Sequence, residues 1–224
     1  MDEIRLIEIK EDILSDNKVQ AEEVRKNLKE KKSFLMNIMS SPGAGKTTLI
    51  LKTLEKIRDE LKVAVMEADI DSKVDAEKIA AQGIEAIQIR TGGFCHMDST
   101  MVAQGLAAMN LGAIDLVILE NVGNLVCPAE FDTGANMNVM LLSVPEGDDK
   151  PLKYPLMFTI SDVLIVHKID YLELSDFDLK AFRKRALILN PKIKIFEVSS
   201  RTGQGVDEWA NWLKSEVKAF GGIS

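Results

Sequence analysis

The stretch SSPGAGKTT, residues 40–48, is the sequence feature that most constrains the fold. It follows the apolar run FLMNIM and leads into TLILKTLEKIRDEL, in which apolar residues recur at helical spacing. A glycine-rich loop between a strand and a helix allows backbone N–H groups to converge on an anion at the helix N-terminus. The stretch therefore predicts a phosphate-binding loop carried by a strand and a helix.

The rest of the chain alternates short apolar runs with helical segments. Besides FLMNIM, the predicted strands are KVAVMEA, IEAIQI, LVILE, NVMLLSV, DVLIVH and IKIFEVS. This alternation predicts βαβ units and an α/β fold, with a mostly parallel sheet that carries helices on both faces. Together with the phosphate loop, it indicates a P-loop NTPase fold of the G-domain-like type. Glycine and proline fall mostly at the strand ends, where open α/β folds bind their ligands.

The first 32 residues differ in pattern from the rest of the chain. They are rich in Lys and Glu, and Val24 with Leu28 forms only a weak apolar stripe. We expect residues 1–32 to form a solvated helical extension that either covers part of the core or joins a partner. Residues 33–224 are expected to form a single P-loop domain.

Composition excludes several classes of partner. The net charge of −7 and the pI near 5.0 argue against a nucleic-acid groove or an anionic membrane surface as the main partner. The chain shows neither a basic segment followed by an apolar leader nor an apolar run of roughly 18 residues. We therefore expect a cytoplasmic protein, whose two cysteines stay reduced rather than forming a Cys95–Cys127 bridge.

The phosphate loop supplies several groups to a nucleotide. Lys46 is expected to reach the β- and γ-phosphates and to neutralise charge during hydrolysis, and the Thr47 hydroxyl is expected to ligate Mg²⁺. Ser40 stands where such loops usually have their first glycine. The alternative is a glycine-rich turn that only caps the helix. The residues expected to contact the nucleotide here are Gly43, Ala44, Gly45, Lys46, Thr47 and Thr48.

Acidic residues at two strand ends are candidates for magnesium binding. Glu120 ends the run LVILE, and Gly123 follows at a position from which its N–H can reach a terminal phosphate. Asp69, Asp71 and Asp75 follow KVAVMEA. Each of these three is equally well explained as a helix cap or a solvated loop charge.

Two late strand ends indicate which nucleotide binds. HKID (167–170) and SSRTGQG (199–205) resemble the base-recognition pair of P-loop GTPases. Asp170 would accept hydrogen bonds from guanine N1 and N2, Lys168 would lie along the ring, and the loop at Ser200 and Arg201 would donate an N–H to O6. Adenine lacks those two donors, so GTP is expected over ATP.

His167 stands where the GTPase pattern has an asparagine that ties neighbouring loops together. A neutral imidazole also offers one donor and one acceptor, so the same role is open to it. The alternative is a buried strand-end histidine with no part in nucleotide binding.

A second kind of site is suggested by TGGFCHMDST, residues 91–100. The chain has two cysteines and two histidines, and Cys95 and His96 are adjacent. A soft sulfur ligand beside an imidazole can begin a transition-metal site. The simpler alternative is a small buried cysteine beside a surface histidine, with Cys127 as a core thiol.

The stretch ENVGNLVCPAEFD, residues 120–132, taken with SSPGAGKTT and TGGFCHMD, resembles the hydrogenase nickel-incorporation GTPase family, HypB. The resemblance runs over nearly the whole chain from about residue 33. It implies a GTP-hydrolysing metallochaperone that dimerises and helps to insert nickel into the [NiFe]-hydrogenase large-subunit precursor. It also implies a nickel-donor chaperone of the HypA type as a partner.

The resemblance further implies a set of ligands. Cys95, His96 and Cys127 correspond to the family's metal ligands, for Ni²⁺ or Zn²⁺, and Asp75 and Glu120 to its magnesium carboxylates. Residues 1–32 contain neither Cys nor His, so transition-metal binding is expected only in the P-loop domain. Three ligands fall short of a closed tetrahedral site, which favours an exchangeable metal or a site shared by two protomers.

The sequence also suggests how the two sites cooperate. Cys127 lies seven residues after Glu120, so one short segment would link metal and γ-phosphate.

The expected catalytic residues are Lys46, Glu120 and Gly123, and with no evident water-positioning Gln or arginine finger we expect slow GTP turnover. The alternatives are a urease-type nickel-insertion GTPase, a P-loop ATPase or kinase of unrelated role, and a non-catalytic metal-storage protein.

Overall fold

The computed structural model describes residues 9–69 and 79–222. Within these residues a seven-stranded sheet has the order β3-β2-β4-β1-β5-β6-β7, and all its pairings are parallel. The predicted α/β fold with a parallel sheet is thus confirmed. The strands are β1 (Phe34–Met39), β2 (Val63–Asp69), β3 (Glu85–Arg90), β4 (Leu116–Glu120), β5 (Met137–Ser143), β6 (Val163–His167) and β7 (Lys194–Val198).

Helices cover both faces of this sheet, as the sequence predicts. The helices are α1 (Ile9–Lys31), α2 (Lys46–Ile57), α3 (Ser99–Ala107), α4 (Cys127–Glu130), α5 (Lys150–Lys153), α6 (Pro155–Ile160), α7 (Leu179–Leu189) and α8 (Val206–Gly221). Helices α2 and α8 pack on one face, whereas α1, α3, α6 and α7 pack on the other. No helix among the described residues is long and apolar enough to cross a membrane.

The central strands are buried on both faces, which explains why they appear in the sequence as continuous apolar runs. In β4, Ile118 packs toward α2 and α8, while its neighbours Val117 and Leu119 pack toward α1 and α3. A strand of a parallel sheet that carries helices on both sides has no solvent face, so no polar residue is needed at alternate positions. Glu67 and Asn37 are buried polar exceptions within strands, and both lie near the functional edge.

Helix α1 packs against the sheet along one narrow stripe. Ala21, Val24 and Leu28 are buried at helical spacing, and the Lys and Glu residues between them face solvent. Arg25 pairs with Asp132, which fixes the helix to the loop after α4. Within residues 9–31 of the expected extension, the charged side faces solvent and the apolar stripe covers part of the core, while residues 1–8 lie outside the described residues.

The parallel sheet determines where ligands can bind. Strands β1, β2, β4, β6 and β7 all end at the same edge, because every pairing is parallel. The phosphate loop and the segments after Glu120, His167 and Val198 therefore meet there. This is the edge at which open α/β sheets bind nucleotides.

The docking of α1 can be tested through Leu28, which is fully buried. Leu28→Ala should lower the free energy of unfolding by about 2–5 kcal/mol, because it removes apolar contacts and leaves a cavity. Lys29→Ala, on the exposed side of the same helix, should change it by less than about 0.5 kcal/mol. Urea unfolding curves measure both, and equal midpoints for the two variants would contradict the docked position of α1.

Candidate nucleotide and metal site

A cavity of about 550 Å³ lies at the carboxyl edge of the sheet. The phosphate loop forms one wall, and the ends of β2 and β4 form the other. The helix N-terminus of α2 opens into it, which favours an anionic ligand. The lining residues are Pro42, Gly43, Gly45, Lys46, Thr47, Thr48, Glu67, Ala68, Glu120, Asn121, Val122, Gly123 and Lys168.

The phosphate loop has the backbone conformation that its glycines allow. Gly43 and Gly45 have φ values of 75° and 108°, in the region that favours glycine. Ser40, at the position of the usual first glycine, is fully buried, and its Oγ accepts a hydrogen bond of 3.2 Å from Lys46 Nζ. A serine at this position therefore holds the lysine at the cavity wall.

Thr47 and Glu120 meet at the floor of the cavity. Thr47 Oγ1 donates a hydrogen bond of 2.9 Å to Glu120 Oε1, and Glu120 is 5% exposed. The other carboxylate oxygen, Oε2, is buried without a hydrogen-bond partner among the described residues. A buried carboxylate oxygen beside a threonine hydroxyl fits the oxygen ligands that Mg²⁺ prefers.

The other acidic candidates are placed less completely. Asp69 is the last residue of β2, but its side chain lies outside the described residues, as do Asp71 and Asp75 altogether. Glu67, which the sequence analysis missed, lines the cavity and pairs in register with Glu120 on the neighbouring strand. The signal for it was a carboxylate inside an otherwise apolar strand, two residues before the strand end.

Gly123 lies against the phosphate loop. A Cβ at this position would meet Pro42 backbone atoms at 3.1 Å, so a side chain would push the segment away from the loop. The segment is also fixed at its start, where Asn121 N–H donates to Ile38 O at 3.0 Å. The residues after Glu120 are thus held close to the place where a terminal phosphate would lie.

A second pocket, of about 200 Å³, continues from the phosphate cavity toward the ends of β6 and β7. It shares Gly45, Thr48 and Lys168 with that cavity, so one elongated ligand can occupy both. Its remaining lining residues are His167, Asp170, Tyr171, Ser200 and Arg201. The residues expected to read the base are therefore brought together.

His167 connects the phosphate loop to the loop after β7. Its Nδ1 lies 2.9 Å from Ala44 O, and its Nε2 lies 2.7 Å from Ser200 Oγ. Because a carbonyl only accepts, Nδ1 carries the proton, and in the neutral ring Nε2 accepts from the Ser200 hydroxyl. Burial lowers the pKa of His167, the Ala44 carbonyl opposes this, and the neutral form is favoured. The imidazole thus ties two loops together, as its donor and acceptor allow.

Gly45 and Lys168 show how closely these loops pack. A Cβ at position 45 would lie 2.6 Å from the His167 ring, so only glycine fits beside this histidine. Lys168 has a positive φ of 57°, and its Nζ donates to Gly43 O at 2.8 Å. The lysine stem therefore spans the gap between the two pockets.

Asp170 is held in place by a residue that the sequence analysis did not identify. Ser199 Oγ donates to Asp170 Oδ1 at 2.6 Å, and Arg201 lies 4.0 Å from Oδ2. Arg201 is itself largely exposed. The Ser200 hydroxyl bonds to His167 instead of pointing at a ligand. Of the two serines in this loop, Ser199 orients the carboxylate and Ser200 joins the loops.

The three sulfur and imidazole ligands come together at the same edge. The donor atoms of Cys95, His96 and Cys127 all lie within 4.8 Å of one another. Cys95 Sγ lies 2.8 Å from Cys127 Sγ and 3.9 Å from His96 Nδ1, and both cysteines are free thiols. Three donors at these separations fit around a single metal ion.

The environment of His96 and Cys127 favours the neutral form of each side chain. Burial lowers the pKa of His96, whereas the negative charges of Asp98 and Glu130 act to raise it. The His96 ring stacks on the Phe131 ring, with 3.8 Å between the ring centroids. The hydrogen bond with Cys95 and burial both raise the pKa of Cys127. A metal bound here would therefore displace a thiol proton, so its affinity would rise with pH.

Asn121 links the loop that carries Cys95 and His96 to the nucleotide cavity. This buried side chain follows Glu120 directly, and its Oδ1 accepts from Met97 N–H at 3.1 Å and from Val122 N–H at 2.9 Å. Its Nδ2 donates to Asn37 Oδ1 at 3.1 Å. Met97 follows His96 in the chain, so one amide joins the segment that begins at Glu120 to the loop that carries Cys95 and His96.

These features define the class of the protein as a P-loop nucleotide-binding protein with a sulfur and imidazole site beside its phosphate cavity. The family model "CobW/HypB/UreG, nucleotide-binding domain" matches residues 34–197. The chain is 41% identical over 216 residues to the hydrogenase maturation factor HypB of Escherichia coli K12, a match that covers 96% of this chain and 74% of that protein. It therefore belongs to the HypB family.

Two further similarities extend this finding. The chain is 40% identical to the hydrogenase/urease maturation factor HypB of Helicobacter pylori J99, over 92% of this chain and 86% of that protein. A crystal structure of Helicobacter pylori HypB in complex with nickel superposes with a TM-score of 0.86 at 37% identity. That match covers 91% of this chain and 96% of the other.

The lowered pKa of His167 gives a testable pH dependence. The ordinary value is 6.5, so below it the unfolded chain binds a proton that the folded chain excludes. The contribution of neutral His167 to folding stability is complete above pH 6.5. It is lost as the pH falls from 6.5 toward the lowered pKa of the folded chain. His167→Asn removes this titration and leaves His96 in both proteins.

We therefore compare the free energy of unfolding of wild type with that of His167→Asn. The wild-type value minus the variant value should decrease as the pH falls from about 7.5 to about 5.5. Urea unfolding across this range measures it. A difference that does not change with pH would show that His167 is not held neutral.

Proposed function

We propose that this protein is a GTP-hydrolysing metallochaperone that delivers nickel to the [NiFe]-hydrogenase large-subunit precursor. The observation that carries the proposal is the cluster of Cys95, His96 and Cys127, joined through Asn121 to the wall of a phosphate cavity. Names of similar proteins support it, since they are hydrogenase maturation factors and one was solved with nickel.

Guanine recognition rests on the fixed carboxylate of Asp170. Ser199 orients this side chain, which lines the pocket and is 13% exposed. Guanine presents the N1 and N2 donors that such a carboxylate can accept, whereas adenine would leave it unpaired. The proposal is therefore a preference for GTP and GDP over adenine nucleotides.

Hydrolysis would be attack of water on the γ-phosphate, with the protein acting mainly by position and charge. Lys46 neutralises charge on the β- and γ-phosphates, and Thr47 with Glu120 would hold Mg²⁺, which supplies further charge neutralisation when bound. Gly123 lines the same cavity, and in this proposal its N–H donates to the γ-phosphate. The cavity is lined by neither glutamine nor arginine among the described residues, so we propose slow intrinsic turnover.

In this proposal nickel is the cargo of the protein rather than a resident cofactor. The three described ligands leave at least one coordination position open, which allows exchange with another protein. Thiolate and imidazole suit both Ni²⁺ and Zn²⁺, so the proposal covers either metal at the site. Two protomers that met at this face would bring six ligands, and we propose a homodimer promoted by GTP or metal.

Partners and location follow from this role. Nickel would arrive from a donor chaperone of the HypA type and pass to the hydrogenase precursor. The free thiols need a reducing compartment, so the proposal places the protein in the cytoplasm. A urease precursor is a second candidate acceptor, because the Helicobacter pylori relative is named for both enzymes. Activation assays with each precursor distinguish the two.

Base recognition predicts a change of nucleotide with Asp170→Asn. Losing two charge-assisted hydrogen bonds should weaken GTP binding about a hundredfold. Xanthine carries an oxygen in place of the guanine amino group, so the asparagine amide should bind XTP better than wild type does. Fluorescent-nucleotide competition measures both affinities. Asp176→Asn, an exposed residue outside the pocket, serves as the control, and equal GTP and ATP affinities for wild type would contradict the guanine proposal.

If Cys95 is a metal ligand, Cys95→Ala should weaken nickel binding by more than about a hundredfold. The reason is that loss of a residue that only orients a metal ligand already costs about 10- to 100-fold. The measurement is competition against a chromogenic chelator, with GDP and with a non-hydrolysable GTP analogue. Thr100→Ala, an exposed residue close to Cys95 in sequence, is the matched control.

The nucleotide should also change nickel affinity in wild type, by about 5- to 150-fold, the usual range of coupling between two sites. Equal nickel affinity in wild type and Cys95→Ala would contradict the metal assignment. Equal affinity with the two nucleotides would contradict only the coupling.

A further inference from the structure

We propose that helix α1 positions the metal ligands, with Asn17 and Arg25 holding the two loops that carry Cys95, His96 and Cys127. This inference rests on the proposed metal-carrier function and adds to it a role for the N-terminal helix. The helix lies outside the phosphate cavity, none of whose lining residues belongs to α1. Its polar contacts are instead directed at the segments that follow the metal ligands.

Asn17 is the contact to both loops. It is 7% exposed, and its Oδ1 accepts from Ser99 N–H at 2.9 Å and lies 2.7 Å from Ser99 Oγ. Its Nδ2 donates to Asp132 O at 2.9 Å. Ser99 lies three residues after His96, and Asp132 lies five residues after Cys127. One side chain therefore bridges the two ligand-bearing segments.

Arg25 holds the second segment through an ion pair with Asp132. One guanidinium nitrogen lies 2.6 Å and 2.7 Å from the two carboxylate oxygens of Asp132. The same carboxylate accepts from Gly134 N–H at 2.9 Å, which closes the turn. This charge-assisted contact holds the Asp132 carboxylate against α1.

The segment that follows Cys127 also lies directly on the helix backbone. A Cβ on Gly134 would come within 2.6 Å of Val24 and 2.8 Å of Ala21 O, so this segment has no room to shift toward α1. Phe131, next to Asp132, stacks on the His96 ring. Fixing Asp132 therefore also fixes the aromatic surface against which the metal-ligand imidazole rests.

The chemistry of position 17 argues for positioning rather than packing alone. Asparagine is a poorer helix former than leucine, and a buried amide gains nothing unless its hydrogen bonds are made. The side chain of Asn17 makes them with the two loops and with no residue of the nucleotide cavity. Residues that orient metal ligands without contacting the metal themselves typically contribute about 10- to 100-fold to metal affinity.

The test compares Arg25→Ala and Asn17→Leu with Lys26→Ala, an exposed residue of the same helix. Release of bound nickel to a chelator should be about tenfold faster in the first two and unchanged in the third, while GDP affinity stays at the wild-type value in all three. Arg25→Lys, which keeps the charge, should recover part of the effect. In an Asp132→Asn background, Arg25→Ala should add nothing further.

A metal-free measurement separates this inference from the proposed function. Amide hydrogen exchange of residues 95–99 and 127–134 should increase in Arg25→Ala and Asn17→Leu, without a similar increase in the phosphate loop. Unchanged exchange and unchanged nickel release in a folded Arg25→Ala protein would overturn the inference. Faster exchange in a chain whose wild type binds no nickel would retain the positioning role of α1 and remove the carrier function.

Discussion

The structure depends on one geometric constraint, which is that all seven strands of the described sheet run parallel. Each strand ends at the same edge, so the phosphate loop, the segment after Glu120, and the loops after β6 and β7 converge without any long excursion of the chain. Polar groups at strand ends are therefore concentrated there, while the central strands are mostly apolar on both faces. The nucleotide cavity and the metal ligands are neighbours because they share this edge.

Within that edge, Asn121 connects the two sites directly. Its backbone continues from Glu120, which lines the phosphate cavity, and its amide holds the backbone after His96. Gly123, two residues on, lies against Pro42 of the phosphate loop. In the proposed cycle, a γ-phosphate would contact Gly123, in the same short segment as Asn121. This segment is the route by which we propose that nucleotide binding changes metal affinity.

The sequence predicted the elements and the residues of the motifs, but not the residues that hold them. Strands, phosphate loop and Glu120 follow local patterns in which period and punctuation carry the signal. Cys127 joined Cys95 and His96 only through a family resemblance, since 32 residues separate the cysteines. Ser199, Asn121 and Asn17 were missed because a single hydroxyl or amide has no period, and the partners of the last two lie 24 to 115 residues away. Such contacts become visible only when the topology is known.

The proposed carrier role requires a metal site that releases its ion rather than retains it. A closed site would supply four ligands, whereas the described residues bring three, and two of these are thiols that must lose a proton when metal binds. Each feature lowers affinity, yet the open position lets an acceptor attach its own ligand before the carrier's ligands leave. Exchange of this kind needs loops that keep their geometry while the metal is absent. The contacts of Asn17 and Asn121 hold the His96 loop from two sides, so the ligands can stay arranged through a cycle in which their cargo comes and goes.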